Sequence, residues 1–297
     1  MLVNNRIPLL RIFSKIKVEI LYTSVIWLVA FFLAHEYASF NPDIPVTVPA
    51  FMGTAISIIL SFKLSQSYDR WWEARKIWGS IVNESRTLVL KLQSFVRPEH
   101  NDDIEKIALR QIGWCYSLGQ SLRGSDGVQN LEKYLSTQDL EEINKQKNKP
   151  LAILQLSAKH IADLRSKEAI DIRSHIHINE SLVAFTNAMG MAERIKSTVF
   201  PVTYTLILHW LIYLFTIVLS LALYDLVWYF EFPLLLALSC AFFLLEKTAT
   251  ELQDPFSSKP TDTAMTTIAT NIEINIKQLL KKEEIPPPHP PQGYYAL

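Results

Sequence analysis

The chain alternates between long apolar runs and long polar stretches. Crossing a hydrocarbon core of ~30 Å takes about 20 mostly apolar helical residues, and four runs qualify. Residues 18–33 are apolar apart from Glu19, residues 44–62 carry no charge, and residues 199–223 contain only His209. Residues 226–245 contain Glu231, and Pro233 stands where a helix could begin, so the fourth run has a short core. Between the second and third runs the chain reads as mostly helix. Over 102–122, Ile104, Ile107, Ile112, Cys115, Leu118 and Leu122 recur close to a helical period. Gly124, Gly127 and the run 144–150 (NKQKNKP) are breakers. Pro150 opens a helix to about Ser166, and another runs from near Asn179 to Ile195. The tail from Ile285 (IPPPHPPQGYY) is proline-rich and reads as disordered.

The basic residues orient these runs. Arg6, Arg11, Lys15 and Lys17 precede the first run, while Lys63, Arg70, Arg75 and Lys76 follow the second. Arg194 and Lys196 precede the third and Lys247 follows the fourth. The short loops around 34–43 and 224–231 have no Lys or Arg and carry Glu36, Asp43, Asp225 and Glu231. Both short loops therefore lie outside and everything basic lies inside. A soluble protein with four buried core helices would not produce this asymmetry. The expected order is a cytoplasmic segment 1–17, spans one and two in 18–62, a cytoplasmic helical domain 63–198 and spans three and four in 199–246. A cytoplasmic segment 247–282 and a tail 283–297 follow.

Composition narrows the function further. The formal net charge of the 297 residues is zero, so no basic excess points to nucleic acid. The two cysteines, Cys115 and Cys240, have no CxxC or Cys/His metal spacing and read as buried thiols. No phosphate loop, nucleophile elbow or HExxH is present, so nothing points to an enzyme or a cofactor. His209 reads as a hydrogen-bonded interior histidine. His175 and His177 could share a metal only in extended geometry.

The second run is unusual because it continues without a breaker into KLSQSYDRWWEAR, so one helix can leave the membrane unbroken. Thr54, Ile58, Phe62 and Gln66 recur every four residues along one face. A symmetric ring of such helices would form an apolar constriction, which gates by dewetting; ordinary packing of Ile58 and Phe62 against helices or lipid is the other reading. Tyr68, Asp69, Arg70, Trp71, Trp72, Glu73 and Arg75 combine aromatics and charge where the helix leaves the membrane. They read as interfacial anchors, with Asp69 and Glu73 able to pair with Arg70 and Arg75 across a subunit interface.

The run 65–79, SQSYDRWWEARKIWG, resembles the signature that follows the second span in bestrophins. Glu193-Arg-Ile ahead of Pro201 and Tyr204 is similar to the family's stretch leading into span three. Glu251-Leu-Gln-Asp254-Pro255-Phe256 is similar to the family's E-L-x-D/N-P-F, and Asn271-Ile-Glu resembles the short helix after it. The blocks occur in order over about residues 5–282, and the size and clipped tail look like the bacterial members. The resemblance implies an all-α fold with four transmembrane helices and a large cytoplasmic helical domain. It further implies a homopentamer with one axial pore in the bacterial inner membrane, both termini cytoplasmic. Its partners would be copies of itself, membrane lipid and permeating monovalent ions, with no nucleic acid.

In the resemblance Ile58 and Phe62 match two of three apolar neck positions. The third is Thr54, where the family usually has isoleucine, a departure that widens or wets the extracellular end. Ile172 matches the family's cytoplasmic aperture, placed by its position ahead of Glu193-Arg-Ile; packing in the core under Ile170 or Ile176 is the other reading. Asp171 argues for cations there, while Arg173, His175 and His177 argue for anions, so selectivity stays open. Animal bestrophins hold Ca²⁺ with acidic residues just after the Asn-Pro-Phe motif. Here that stretch is Ser257-Ser-Lys259-Pro-Thr-Asp262, leaving only Asp254 and Asp262 as acids. Ca²⁺ takes six to eight oxygen ligands, so no calcium clasp is expected and no other metal site is implied. The rival to a channel is a non-conducting membrane scaffold whose cytoplasmic helical domain binds a partner.

Overall fold

The computed structural model describes residues 13–36, 44–198 and 201–290. Among these residues the structure is helical and without strands. The helices are α1 (Lys17–Glu36), α2 (Thr47–Phe95), α3 (Asn101–Leu122), α4 (Thr137–Asn144), α5 (Lys149–Ser166), α6 (Ile172–Ser197), α7 (Val202–Ala222), α8 (Trp228–Leu252) and α9 (Met265–Leu279). The chain divides into two compact units. One takes residues up to 70 together with 201–253; the other takes 71–198 and 254–290.

Helix α2 contributes to both units. Its 49 residues extend about 73 Å at ~1.5 Å per residue. It stays unbroken because its one proline, Pro49, lies in the first turn, where a missing N–H costs no helical bond. It ends where Arg97, extended at φ −63° and ψ 145°, precedes Pro98.

In the first unit α1 packs against α7 and α8, and α7 against α8. Ile56, Leu60, Leu208, Ile212, Phe215, Leu235 and Phe243 form the core. Gly53 lets the Phe215 ring approach α2, since a Cβ there would lie 3.3 Å from it. Helices α2, α7 and α8 are long and apolar enough to cross a membrane; α1, at 20 residues, reaches about 30 Å. In the second unit α3 packs on α5 and α9, and α5 on α6. Trp78, Trp114, Phe185 and Phe256 are fully buried there, with the Trp114 and Phe185 rings 5.0 Å apart.

Three boundaries differ from the sequence reading. Helix α8 begins at Trp228, five residues before Pro233; that early in a helix, proline removes a single backbone bond. Glu231 accordingly lies inside the first turn rather than in an external loop. It is 5% exposed and accepts a hydrogen bond from the Ser220 hydroxyl at 2.9 Å. Helix α6 begins at Ile172 rather than near Asn179, because the Asp171 carboxylate accepts from the backbone N–H groups of Arg173 and Ser174 and caps it. Helix α4, capped by Ser136, was not anticipated. Residues 285–290 have no regular secondary structure, while 291–297 of the proline-rich tail, the N-terminal residues 1–12, and Asp43 lie outside the described residues.

Candidate functional site

Along α2, one face stays uncovered within the single chain. Ile58 is 54% exposed and Phe62 64% exposed, on the same stripe as Phe51 and Thr54. Thr54 donates its hydroxyl to the Ala50 carbonyl at 2.9 Å, so its polar hydrogen is already satisfied inside the helix. The opposite face, Ile56, Leu60, Lys63 and Ser67, is buried.

Lys63 lies one residue after Phe62 and is 1% exposed. Its Nζ is 2.7 Å from Glu246 Oε1 on α8, and donates to Thr205 Oγ1 on α7 and Thr250 Oγ1 on α8, each at 3.1 Å. His209 Nε2 of α7 lies 3.1 Å from the other Glu246 oxygen. Glu246 is 2% exposed. One ion pair, with its hydroxyl and imidazole partners, thus fastens α2 to both α7 and α8 beside Phe62. Sequence reading counted Lys63 only as a charge marking the inner side. Its signal was a lysine directly abutting an uncharged span with an acid ending another span.

The signature following the second span divides its work. Arg70 Nε donates to the Gln253 carbonyl at 2.9 Å, and the Trp71 indole donates to the Thr261 carbonyl at 2.8 Å. Each therefore has a backbone partner within its own chain. Glu73 pairs with Lys76, one turn on, at 2.6 Å. Tyr68, Asp69 and Trp72 are exposed, and Arg75 lies over Gly79. Asp254 Oδ1 accepts from the Phe256 N–H at 3.2 Å, and its Oδ2 pairs with Lys196 at 2.7 Å. Pro255 and Phe256 are buried, which fixes the turn after α8. Asp262 Oδ2 accepts from the Lys259 N–H and the Ser257 hydroxyl.

At the start of α6, Ile172 is 61% exposed and Ile176 55%, whereas Ile170 is buried. Asp171 takes two backbone N–H donors and the Ser174 hydroxyl, the last at 2.6 Å. The Ser174 hydroxyl, then the N–H groups of Ser174 and Arg173, hold its pKa below the usual carboxylate value. Arg173 is exposed. His175 and His177 lie on a helix, where residues two apart diverge, so the extended geometry that a shared metal needs is not met. They contact Asn179 and Glu180 instead.

Residues 6–278 match the family model of the bacterial and fungal bestrophin proteins. The chain belongs to the bestrophin family. It is 29% identical over 286 residues to the voltage-dependent anion channel-forming protein YneE of Escherichia coli (strain K12), covering 96% of this chain and 93% of that one. A voltage-dependent anion channel-forming protein of Mesorhizobium japonicum is 29% identical over 280 residues, 93% of this chain and 87% of that one. The crystal structure of a bacterial bestrophin homologue from Klebsiella pneumoniae superposes with a TM-score of 0.85 at 27% identity, covering 91% of this chain and all of that one. The bestrophin resemblance read from SQSYDRWWEARKIWG and ELQDPF, and the all-helical fold it implied, therefore stand. This bestrophin is an integral membrane protein and an ion channel rather than an enzyme.

Proposed function

We propose that this bestrophin conducts monovalent anions through one pore on the axis of a homopentamer. In this reading α1, the first part of α2, α7 and α8 form the membrane part, and both termini are cytoplasmic in the bacterial inner membrane. The domain limits are 18–62 and 199–246 for the spans, with 63–198 and 247–282 in the cytoplasm. Thr54, Ile58 and Phe62 line the neck and Ile172 a cytoplasmic aperture. The observation that carries the reading is the uncovered apolar stripe on α2, opposite the buried ion pair, in a chain of this family. An apolar side chain that no neighbour in its own chain covers needs an axis, a partner or lipid.

Anions are favoured for two reasons. The relatives are named anion channel-forming proteins, and Arg173 stands exposed at the start of α6. The Asp171 carboxylate beside it is engaged in capping the helix, whose N-terminus carries about half a positive charge. Arg173 makes no ion pair among the described residues. Recording the purified protein in planar bilayers under a KCl gradient tests this: the reversal potential should lie near that of chloride. A reversal near the potassium potential excludes the anion reading, and no unitary currents in any variant favours a scaffold.

Two expected outcomes follow from this reading. Ile172→Ala should shift permeability ratios among anions of different size and leave melting almost unchanged. A core residue would instead lose about 2–5 kcal/mol on truncation, which its exposure argues against. Micromolar Ca²⁺ should leave the currents unchanged, because Asp254 is paired with Lys196 and Asp262 accepts from Lys259 and Ser257. Activation that a chelator reverses would show that these carboxylates can be recruited.

A further inference from the structure

Away from the uncovered stripe of α2, helices α3 and α9 border an open cleft of about 800 Å³, lined also by Asn130, Lys133 and Tyr134 and by Glu284, Ile285 and Pro286. Ligand pockets for small organic molecules run from about 300 to 1,000 Å³, so the volume is that of a site rather than a packing defect. Its surfaces differ in character. On one side Tyr116 and Tyr134 lie nearly parallel, 10° between planes and 5.6 Å between centroids. Both hydroxyls donate to Glu273 Oε2 at 2.8 Å, and Lys277 pairs with Oε1 at 2.8 Å. That fixes the rings and spends the one buried acid of the lining. Met265, Ala269 and Pro286 add apolar surface.

The remaining charge is mainly positive. Arg123 is partly buried; one Nη donates to Thr266 Oγ1 at 2.7 Å, while its Nε is buried with no hydrogen-bond partner. Leaving a guanidinium donor buried and unspent is costly and calls for an explanation. Lys133 stands exposed on the lining. Glu273 is committed to the tyrosines and Lys277, Glu284 is exposed on the lining, and Asp262, whose charge also acts on Arg123, is held by the Lys259 N–H and the Ser257 hydroxyl. A planar fork of donors beside aromatic and apolar walls matches an oxyanion carried on a flat apolar body.

We propose that this cleft binds a small organic oxyanion, a carboxylate or phosphate on a flat apolar body, with Arg123 and Lys133 holding the anion and the tyrosine wall holding the body. Because Ile285 and Pro286 close one side, occupancy would also order the start of the proline-rich segment. The inference does not rest on the channel reading, since its test reads binding and not current.

The test is calorimetric titration of the full-length protein in detergent with benzoate, phenyl phosphate, inorganic phosphate and benzyl alcohol. Benzoate or phenyl phosphate should bind with a Kd of about 1 mM or tighter, and the tighter of the two identifies the head group. Inorganic phosphate, lacking the body, and benzyl alcohol, lacking the charge, should each bind at least about tenfold more weakly. Arg123→Gln should weaken the bound anion by about tenfold or more at unchanged melting temperature. Should that variant melt early, Lys133→Glu, which alters only an exposed side chain, gives the decisive reading with a loss of about threefold or more. The proposal is overturned if neither aromatic anion binds or if benzyl alcohol or inorganic phosphate binds equally well. It is likewise overturned by unchanged affinity in a well-folded Arg123→Gln or in Lys133→Glu.

Discussion

Replacing Lys63 alone by alanine should lower the melting temperature of the purified protein by roughly 10 °C. The substitution leaves Glu246, 2% exposed, without its cation. Breaking a buried ion pair from one side costs about 3–5 kcal/mol, and a protein of this size loses about 2–4 °C per kcal/mol. Exchanging both partners for apolar residues of similar bulk, Lys63→Met with Glu246→Leu, should recover most of the loss, because no charge is then left buried. Scanning fluorimetry of the three proteins in detergent makes the comparison. If the single variant melts with the wild type, water reaches the pair and the clamp is not holding α2. If the double variant is as unstable as the single, the threonine and histidine contacts are what matter.

Ile58→Ala and Phe62→Ala should each raise conductance or open probability severalfold, and Phe62→Ala the more, since it removes the larger ring. An apolar constriction is closed because water leaves it, and removing bulk lowers the barrier to rewetting. Stability should change little, as both side chains are more than half exposed in the subunit. Cysteines at 58 and 62 supply the check. Modification by permeant thiol reagents should block current, with little interference from Cys115, whose burial pushes its thiol pKa up to about 12. Failure of both cysteines to react would place the stripe against lipid or a neighbouring helix. Thr54→Ile should act in the opposite sense, narrowing the outer end of the neck and lowering conductance.

Much of this molecule was legible before any coordinates. The charge-free 44–62 run and its unbroken continuation to Arg75 gave the first part of α2; its further run past Gly79 to Phe95 was not read from the pattern. The basic residues flanking the runs are the basis of the proposed order and orientation of the spans. What escaped were interactions between residues far apart in sequence. Lys63 and Glu246 are 183 residues apart, and no local periodicity reports such a pair. Glu231 looked like a loop acid because proline nearby suggested a later start; Ser220 of α7 gives it a partner within the helix pair. Asp171 was weighed as a pore charge, whereas its first use is to begin α6. The proposed aperture and neck residues rest on position within a family pattern alone, since Ile58, Phe62 and Ile172 are chemically indistinguishable from lipid-facing or core isoleucine and phenylalanine.

The span between Lys63 and Glu246 also dictates an order of assembly. At ~5–20 residues per second, roughly 10–40 s pass between synthesis of the lysine and synthesis of its partner. Throughout that time α2 carries a cation that it cannot yet bury, so its final seat beside α7 and α8 is reserved until α8 is complete. A ribosome-bound or truncated chain lacking α8 therefore holds its apolar stripe on a helix that is not yet fixed in place. Quality control can act on such fragments before they join other copies in the membrane.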